Sequence, residues 1–489
     1  MGWALMLGFI LLIIFVSLVI FFEKKDPAKT ISWLLIMVFL PGIGFFVYLF
    51  FNGNYKKKKI RKTKEAASHF LSDEDVSGIL RLHDMTRAQH EALNEDILFE
   101  EREMSLKKKV IQLIMESERS PFTTNNQVRI YTEGVEKFED MLRDIEQAEN
   151  HIHLEYFIFK NSQIGRRLQQ LLIRKANEGV RVRFLYDELG SFRLMFDKKF
   201  MHEMKAAGIE IRPFMEIKFP YFHGQFNYRN HRKICVIDGK IGYLGGLNIG
   251  DEYIHKNKKF GFWRDTHLRL EGETVYMLQS VFLVDYYLGL GTKLIDENLF
   301  PPLESHNEVL LQIASSGPDM LYESIYNAYF SCISRAKETV YIQTPYFIPD
   351  EAMMMALKTA IMSGVDVRLM FPSFPDHKVV YRASLSYIEE ILALGARVFL
   401  YEKGFIHSKT ILVDGEVASV GTANMDIRSF MINFEINAFI YDDGIIHELY
   451  EIFREDMQNC REMDYEVFRK RGIGSRFIES FARLFSPLL

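Results

Sequence analysis

Two short runs, "NHRKICVID" from Asn230 and "IHSKTILVD" from Ile406, hold the residue types best suited to chemistry. Each offers a histidine, a lysine two places on and an aspartate five places after that: His231, Lys233 and Asp238, then His407, Lys409 and Asp414. Side chains two apart on a strand point to one face, so each histidine shares a face with its lysine. An asparagine stands 17 residues after each histidine, Asn248 in one copy and Asn424 in the other. An acid follows: Asp265 lies 34 residues past His231, and Glu435 lies 28 past His407. The difference marks a loop insertion near "HKNKKFG". A single strand of this kind is most simply a satisfied structural histidine. Two matched copies are not. Each half provides a base, a fixed cation, an amide donor and an acid. Brought face to face, the halves place a nucleophile and a proton donor on opposite sides of one phosphorus, as in-line displacement requires.

The elements that must position these residues are also written twice. "AENHIHLEYFIF" matches "AKETVYIQTPYFIP", each a helix end followed by a strand finishing in Tyr-Phe-Ile. "NEGVRVRFLYD" matches "MSGVDVRLMFP", and "AAGIEIRPF" matches "ALGARVFLY", each a helix closed at glycine with a strand directly after it. The alternating periods predict two α/β lobes on related sheets. The repeat is too long for a solenoid unit and reads as a duplication.

A chain of 489 residues exceeds one ordinary core. Its net charge of -5 gives no basic footprint, so nucleic acid is not an expected partner. Three scattered cysteines, Cys235, Cys332 and Cys460, fit a reducing compartment and exclude both a disulfide framework and a cysteine-based zinc site. Residues 2–22 and 31–51 each run 21 residues without a charge, enough to cross a bilayer as a helix. The first lacks the basic start and small-residue cleavage site of a signal peptide. The eight residues between them allow only a hairpin. That linker has three lysines, whereas "KKKKIRKTK" after the second span has seven basic residues, which predicts residues 52–489 on the cytoplasmic side of the cell membrane. The same run suits anionic membrane lipids. Pro41 and Gly42 predict a kink in the second span. At the other end, Phe477, Ile478, Phe481, Leu484, Phe485 and Leu488 recur at helical spacing opposite Arg476, Glu479 and Arg483, the pattern of an interfacial amphipathic helix.

The doubled motif with its trailing Gly-x-x-Asn resembles the HxKxxxxD phospholipase D superfamily over residues 122–460. "KDPAKTISWLLIMVFLPGIGFFVYLFF", "SSGPD" and "GTANMDIRSFMINFEIN" are similar to bacterial cardiolipin synthases, which extends the likeness to almost the whole chain. One departure is Gly245-Gly246 where the family often has Gly-Ser; Gly421-Thr422 is closer to the usual form. The resemblance implies an α/β chain of two homologous phospholipase D-like lobes, mixed sheets flanked by helices, behind a two-helix transmembrane hairpin. The expected parts are the hairpin at 1–54, a charged helical connector at 55–120, lobes at 121–300 and 301–460, and the amphipathic helix at 461–489.

The resemblance further implies a phosphatidyl transferase that needs no metal and no cofactor, with phosphatidylglycerol as both donor and acceptor. The same likeness makes His231 the nucleophile and His407 the acid and base, while the near symmetry of the two halves leaves the motifs themselves neutral between the two assignments. Lys233, Lys409, Asn248 and Asn424 would hold phosphoryl oxygens. Asp265 and Glu435 would each hydrogen-bond a histidine and fix its tautomer. Asp238 and Asp414 belong to the motif's catalytic set by name, but strand alternation puts them on the face opposite the histidine, where they would brace structure. His151 and His153 in "HIH" share a strand face without a further ligand at metal spacing, and read as packing. Two other classes stand beside this reading: a phospholipase D-type hydrolase or nuclease, and a membrane scaffold without activity. The intact histidine, lysine and asparagine sets argue against the scaffold, and the membrane hairpin against a nuclease. Nothing in the sequence marks an oligomeric state.

Overall fold

The computed structural model describes residues 84–89, 105–214, 227–294, 296–303 and 307–486, with Ile14, Leu18 and Glu91 besides. Apart from Ile14 and Leu18, the predicted hairpin lies outside the described residues, as do the basic run after it and Leu488. Among the described residues no helix is long and apolar enough to cross a membrane. Chain contacts define two compact units, residues 1–59 with 217–228 and residues 60–216 with 229–489. The first falls almost wholly outside the described residues. The second holds both lobes.

The duplication appears strand for strand. In the first lobe the order across the sheet is Asn126–Tyr131, His267–Gly272, Ile241–Gly245, Lys233–Ile237, His151–Tyr156, Arg181–Asp187 and Glu210–Phe214. In the second it is Leu311–Ser316, Glu435–Ile440, Val417–Gly421, Thr410–Val413, Thr339–Gln343, Asp366–Pro372 and Arg397–Tyr401, with Phe122–Thr123 and Cys460–Glu462 added at the two edges. The last three strands of each series run parallel and the rest antiparallel. Parallel neighbours need a crossover, and the helices Gln163–Asn177 and Glu351–Met362 supply it in the two lobes. Ser162 and Asp350 cap these helices by accepting from backbone N–H groups three residues on.

The connector proves to be more than a linker. Its helix Leu106–Glu118 packs into the core of the second lobe with Ile325, Ala328 and Cys332, and Phe122–Thr123 pairs with Leu311 and Gln312 of that lobe's sheet. The chain therefore touches the second lobe before it builds the first.

Alternation sorts each sheet's apolar residues between an outer and an inner core. Cys235 and Ile237 face the helices of their own lobe, whereas Ile234 and Val236 join a cluster shared with Leu412, Val420, Ile436 and Ala438 of the other. All of these side chains are fully or almost fully buried. Each buried Ile, Leu or Val among them contributes about 1.5–3 kcal/mol by leaving water, so the inner cluster is a core that the two lobes share.

Candidate active site

The histidines sit just before their strands, where the two lobes meet. The backbone N–H of His231 donates to Phe434 O at 2.9 Å, and that of His407 donates to Arg264 O at 2.7 Å. Each histidine is thus pinned to the residue that precedes the opposite lobe's acid. The short strand Gly404–Ile406, leading into His407, pairs with Phe262–Arg264, leading into Asp265. The same pairing is made once more by the bridge between Asn230 and Phe434.

The result is an exchange. His231 Nδ1 lies 2.8 Å from Glu435 Oε2, and His407 Nδ1 lies 2.8 Å from Asp265 Oδ2. Both acids are wholly buried, while the histidine side chains retain 12% and 9% exposure. Burial alone would raise the acids. For Glu435 the charge and hydrogen bond of His231 outweigh it, and for Asp265 the charges of Lys409 and His407 do, so both carboxyls are held below their ordinary range. An ionised carboxylate only accepts, so each histidine carries its proton on Nδ1 and leaves Nε2 as a lone pair.

The cations lie beside them. Lys233 Nζ donates to His231 O at 2.5 Å, and Lys409 Nζ donates to His407 O. Burial pushes Lys233 down to about 7 and Lys409 down to about 8, with Glu435 and Asp265 opposing the shift. Burial also pushes His231 down to about 4 and lowers His407, where Lys409 adds to the effect. The resting site therefore has neutral imidazoles, one lone pair on each, and two lysines whose ammonium forms gain from an anion between them. Phe157 meets the His231 ring edge-on at 5.0 Å, and Trp263 lies 5.3 Å from that of His407.

The asparagines differ between the halves. Asn248 accepts from Ile158 N at 3.0 Å and donates to Tyr253 OH at 3.2 Å, so much of its amide is spent on local structure. Asn424 is also buried, and its Oδ1 has no partner among the described residues. Gly246 explains the departure from Gly-Ser: a Cβ built there would stand 2.0 Å from Asp265 Oδ1. The carboxylate occupies the space a side chain would take. At the matching position, Thr422 Oγ1 accepts from Ile436 N at 2.9 Å and donates to Ile436 O at 3.2 Å.

Asp238 and Asp414 are not beside the histidines and leave the catalytic set. Asp238 accepts the N–H groups of Glu149, Asn150 and His151, each at 2.8 Å; Asp414 accepts those of Lys337, Glu338 and Thr339 at 2.7–2.8 Å. Both adopt left-handed backbone, with φ of 52° and 54°. Each closes the turn after its own strand onto the start of the neighbouring one. His151 and His153 are buried; His153 contacts Gln279, Arg183 and the ring of Phe282.

Two buried ion pairs under the site were not singled out in the sequence. Arg232 pairs with Asp285 and donates from Nε to Glu435 O at 3.1 Å. Its Nη2 donates to Ser316 O at 3.3 Å, which places the "SSGPD" stretch beneath the first histidine. In the other half Arg264 pairs with Asp456 at 2.7 Å and donates to Asp265 O at 2.6 Å. In each half an arginine thus holds the carbonyl of the residue whose carboxylate holds a histidine. A lone acid inside the apolar "VFLVDYYLGL" was the available sign for Asp285; Asp456, set among other charges, carries none.

Two phospholipase D-like lobes, a histidine and lysine from each, and acids exchanged between them define the class of protein. A family model described as "Cardiolipin synthase, PLD-like domain" matches residues 141–271 and 329–457, and one described as "Phospholipase_D-nuclease N-terminal" matches residues 10–52. The chain is 44% identical to a cardiolipin synthase of Geobacillus kaustophilus, over 98% of this chain and 92% of that one. It is also 44% identical to the major cardiolipin synthase of Bacillus subtilis, over 99% and 98%. Among solved structures, a phosphatidylserine synthase of Haemophilus influenzae shares the fold with a TM-score of 0.59 at 13% identity, covering 78% of this chain and 100% of that one. The chain belongs to the cardiolipin synthase family of phospholipase D-like proteins.

Proposed function

We propose that this protein joins two phosphatidylglycerols into cardiolipin and releases glycerol. The observation that carries the reading is the pair of exchanged contacts, His231 to Glu435 and His407 to Asp265, which leaves two Nε2 atoms available in one two-lobed site. The full-length relatives that carry the name cardiolipin synthase support the choice of substrate.

His231 Nε2 attacks the phosphorus of the first lipid, and the phosphorus–oxygen bond to glycerol breaks. His407, which takes up a proton on Nε2 when the anionic substrate binds, gives that proton to the departing glycerol oxygen. The second lipid's free hydroxyl then gives its proton to His407 and attacks the phosphohistidine, which restores His231. Each ring becomes positive in turn, and the buried carboxylate behind it stabilises that charge. Binding of the anionic phosphodiester raises the proton affinity of both lysines and of His407, so substrate itself helps arm the acid. Lys233 and Lys409, with the amides of Asn424 and Asn248, face the phosphoryl oxygens. They supply the fixed positive field that a metal supplies elsewhere, so turnover persists in EDTA.

Residues 2–22 and 31–51 anchor the chain as a hairpin, with the lobes on the cytoplasmic side where the basic run meets anionic lipid. A lipid hydroxyl oriented there reaches effective molarities of about 10⁵ M or more, enough to outcompete water. The test is turnover of phosphatidylglycerol by purified protein in ¹⁸O-water. Cardiolipin and glycerol are the expected products; phosphatidic acid carrying most of the heavy oxygen would make the protein a hydrolase. Added glycerol should regenerate phosphatidylglycerol by attacking the same intermediate.

A further inference from the structure

The helix Ile473–Arg483 is turned inside out relative to an ordinary surface helix. Glu479 and Arg483 face the protein. Glu479 is 2% exposed and pairs with Arg471 at 2.6 Å and Arg382 at 3.4 Å. Arg483 pairs with Glu390 and lies 4.0 Å over the ring of Tyr387. All of these partners outside the C-terminal segment belong to the helix Lys378–Ala393, so the contact is an ionic seam. The apolar residues face away: Ile473 is 86% exposed, Phe477 69%, Phe481 53% and Leu484 74%, with Ile478 and Phe485 alongside. Phe477, Phe481 and Phe485 form a row of ring contacts at 6.4 and 5.3 Å.

A helix exposed to water buries its apolar stripe and solvates its charges. Here the charges are neutralised in pairs and the stripe is presented. Exposed charge along the apolar row is mainly basic: Arg469, Lys470 and Arg476 are exposed, Glu466 is paired with Arg469 at 3.0 Å, and Glu479 is buried. Val467, 71% exposed, extends the apolar surface to the preceding helix. An apolar row flanked by Lys470 and Arg476, with its acids paired to arginines, matches an anionic bilayer, with rings in the acyl region and cations at the headgroups.

We infer that residues 467–485 form a second membrane contact, lying in the plane of an anionic lipid surface. The choice of partner rests on the lipid reading of the active site; the geometry does not. The contact also bears on catalysis. Helix Lys378–Ala393 follows directly on the loop carrying Asp376, which accepts from Tyr346 OH and whose charge acts on His407 and Lys409. The helix that carries the C-terminal seam is thus continuous with a loop whose charge acts on the second lobe's half of the site.

The test uses the full chain with Cys460→Ser, which removes the one cysteine that is not buried, and a fluorophore at Phe481→Cys. The protein is reconstituted in phosphatidylcholine vesicles with or without phosphatidylserine, and lipid-chain nitroxides serve as quenchers. Quenching at shallow depth, stronger with phosphatidylserine, is expected. A probe that stays in water overturns the inference, and so does self-quenching between chains whatever the lipid, which would make a second copy the partner. The paired variant Phe477→Ser with Phe481→Ser should lose about tenfold in turnover of vesicle phosphatidylglycerol, yet keep turnover of a short-chain, monomeric form. Equal loss on both substrates would make the face structural and overturn the inference. Absence of transfer by the wild-type chain on either substrate would instead sink the catalytic reading and leave the quenching result standing.

Discussion

Glu435 Oε2 lies 2.8 Å from Nδ1 of His231, a residue of the other lobe and 204 positions earlier in the chain. Asp265 makes the reciprocal contact with His407 at the same distance. Neither lobe can prepare its own histidine. Glu435→Gln and Asp265→Asn keep the shape but remove the charge that holds the tautomer and stabilises imidazolium. Each should lower kcat by about 10²–10⁴ with little change in KM. A loss below tenfold in either variant would mean that the exchanged contacts only hold the lobes together.

His231→Ala and His407→Ala should each fall below a tenth of wild-type turnover while the protein remains folded in the membrane. The two groups act as a unit, so the double variant should be scarcely worse than either single one. Additive losses in the double variant would argue for two independent half-sites.

Much of this was legible in the residues, and what was not has a physical reason. Strand alternation separated His231 and Lys233 from Asp238, whose carboxylate indeed closes a turn through three N–H groups. Spacing along the chain gave each acid a histidine to bond but not which one, because sequence distance carries no information about which lobe folds against which. Arg232 and Arg264 passed as ordinary positions for the same reason: their partners Asp285 and Asp456 are 53 and 192 residues away. The helical period of residues 475–489 divided apolar from charged faces, but the pairing of Glu479 with Arg382 and Arg471 decides which face looks outward. Leu106–Glu118 looked like a connector because its neighbours Ile325 and Ala328 lie about two hundred residues on.

Gly246→Ser restores what many relatives of the superfamily carry, and it should harm this protein. The new Cβ meets the Asp265 carboxylate at 2.0 Å, too close for either to remain in place. Overpacking of this kind costs about 1–3 kcal/mol, and the strain falls on the group that orients His407. We expect kcat at least tenfold lower with folding retained, which steady-state kinetics and a thermal melt would separate. Unchanged kcat would show that Asp265 has room to move without consequence.

The pH profile should reflect groups displaced by burial. His231 is pushed down to about 4, so the nucleophile stays neutral until the solution is acid. Lys233 and Lys409, pushed down to about 7 and about 8, lose their protons well below the ordinary lysine range. The free enzyme, read by kcat/KM, should therefore decline on the alkaline side between about 7 and 8. A bound phosphodiester favours the ammonium forms, so the same limb in kcat should move to higher pH. An alkaline limb near 10 in kcat/KM would refute the depressed lysines.

Lys137 offers a prediction that separates stability from chemistry. Its side chain is fully buried in the first lobe, with Nζ 3.2 Å from both Tyr156 OH and Met141 Sδ and 4.1 Å from the ring centre of Phe138. Among the described residues no carboxylate pairs with it, and burial pushes it down to about 7. The unfolded chain keeps a lysine near 10.4, so between those values the unfolded state binds more protons and folding stability rises with pH. Below about 7 the full cost is present, about 4–5 kcal/mol as an upper bound at 1.4 kcal/mol per pH unit. Methionine has nearly the same length, fills the same gap and carries no charge to desolvate. Lys137→Met should therefore melt higher than wild type at pH 7 and below. The advantage should shrink steadily as pH rises above about 7 and level off only above the unfolded-state value of about 10.4, where lysine loses its proton in both states. Melting curves of both proteins across that range in one detergent would decide it. An advantage independent of pH would mean that packing, not the buried ammonium, sets the difference.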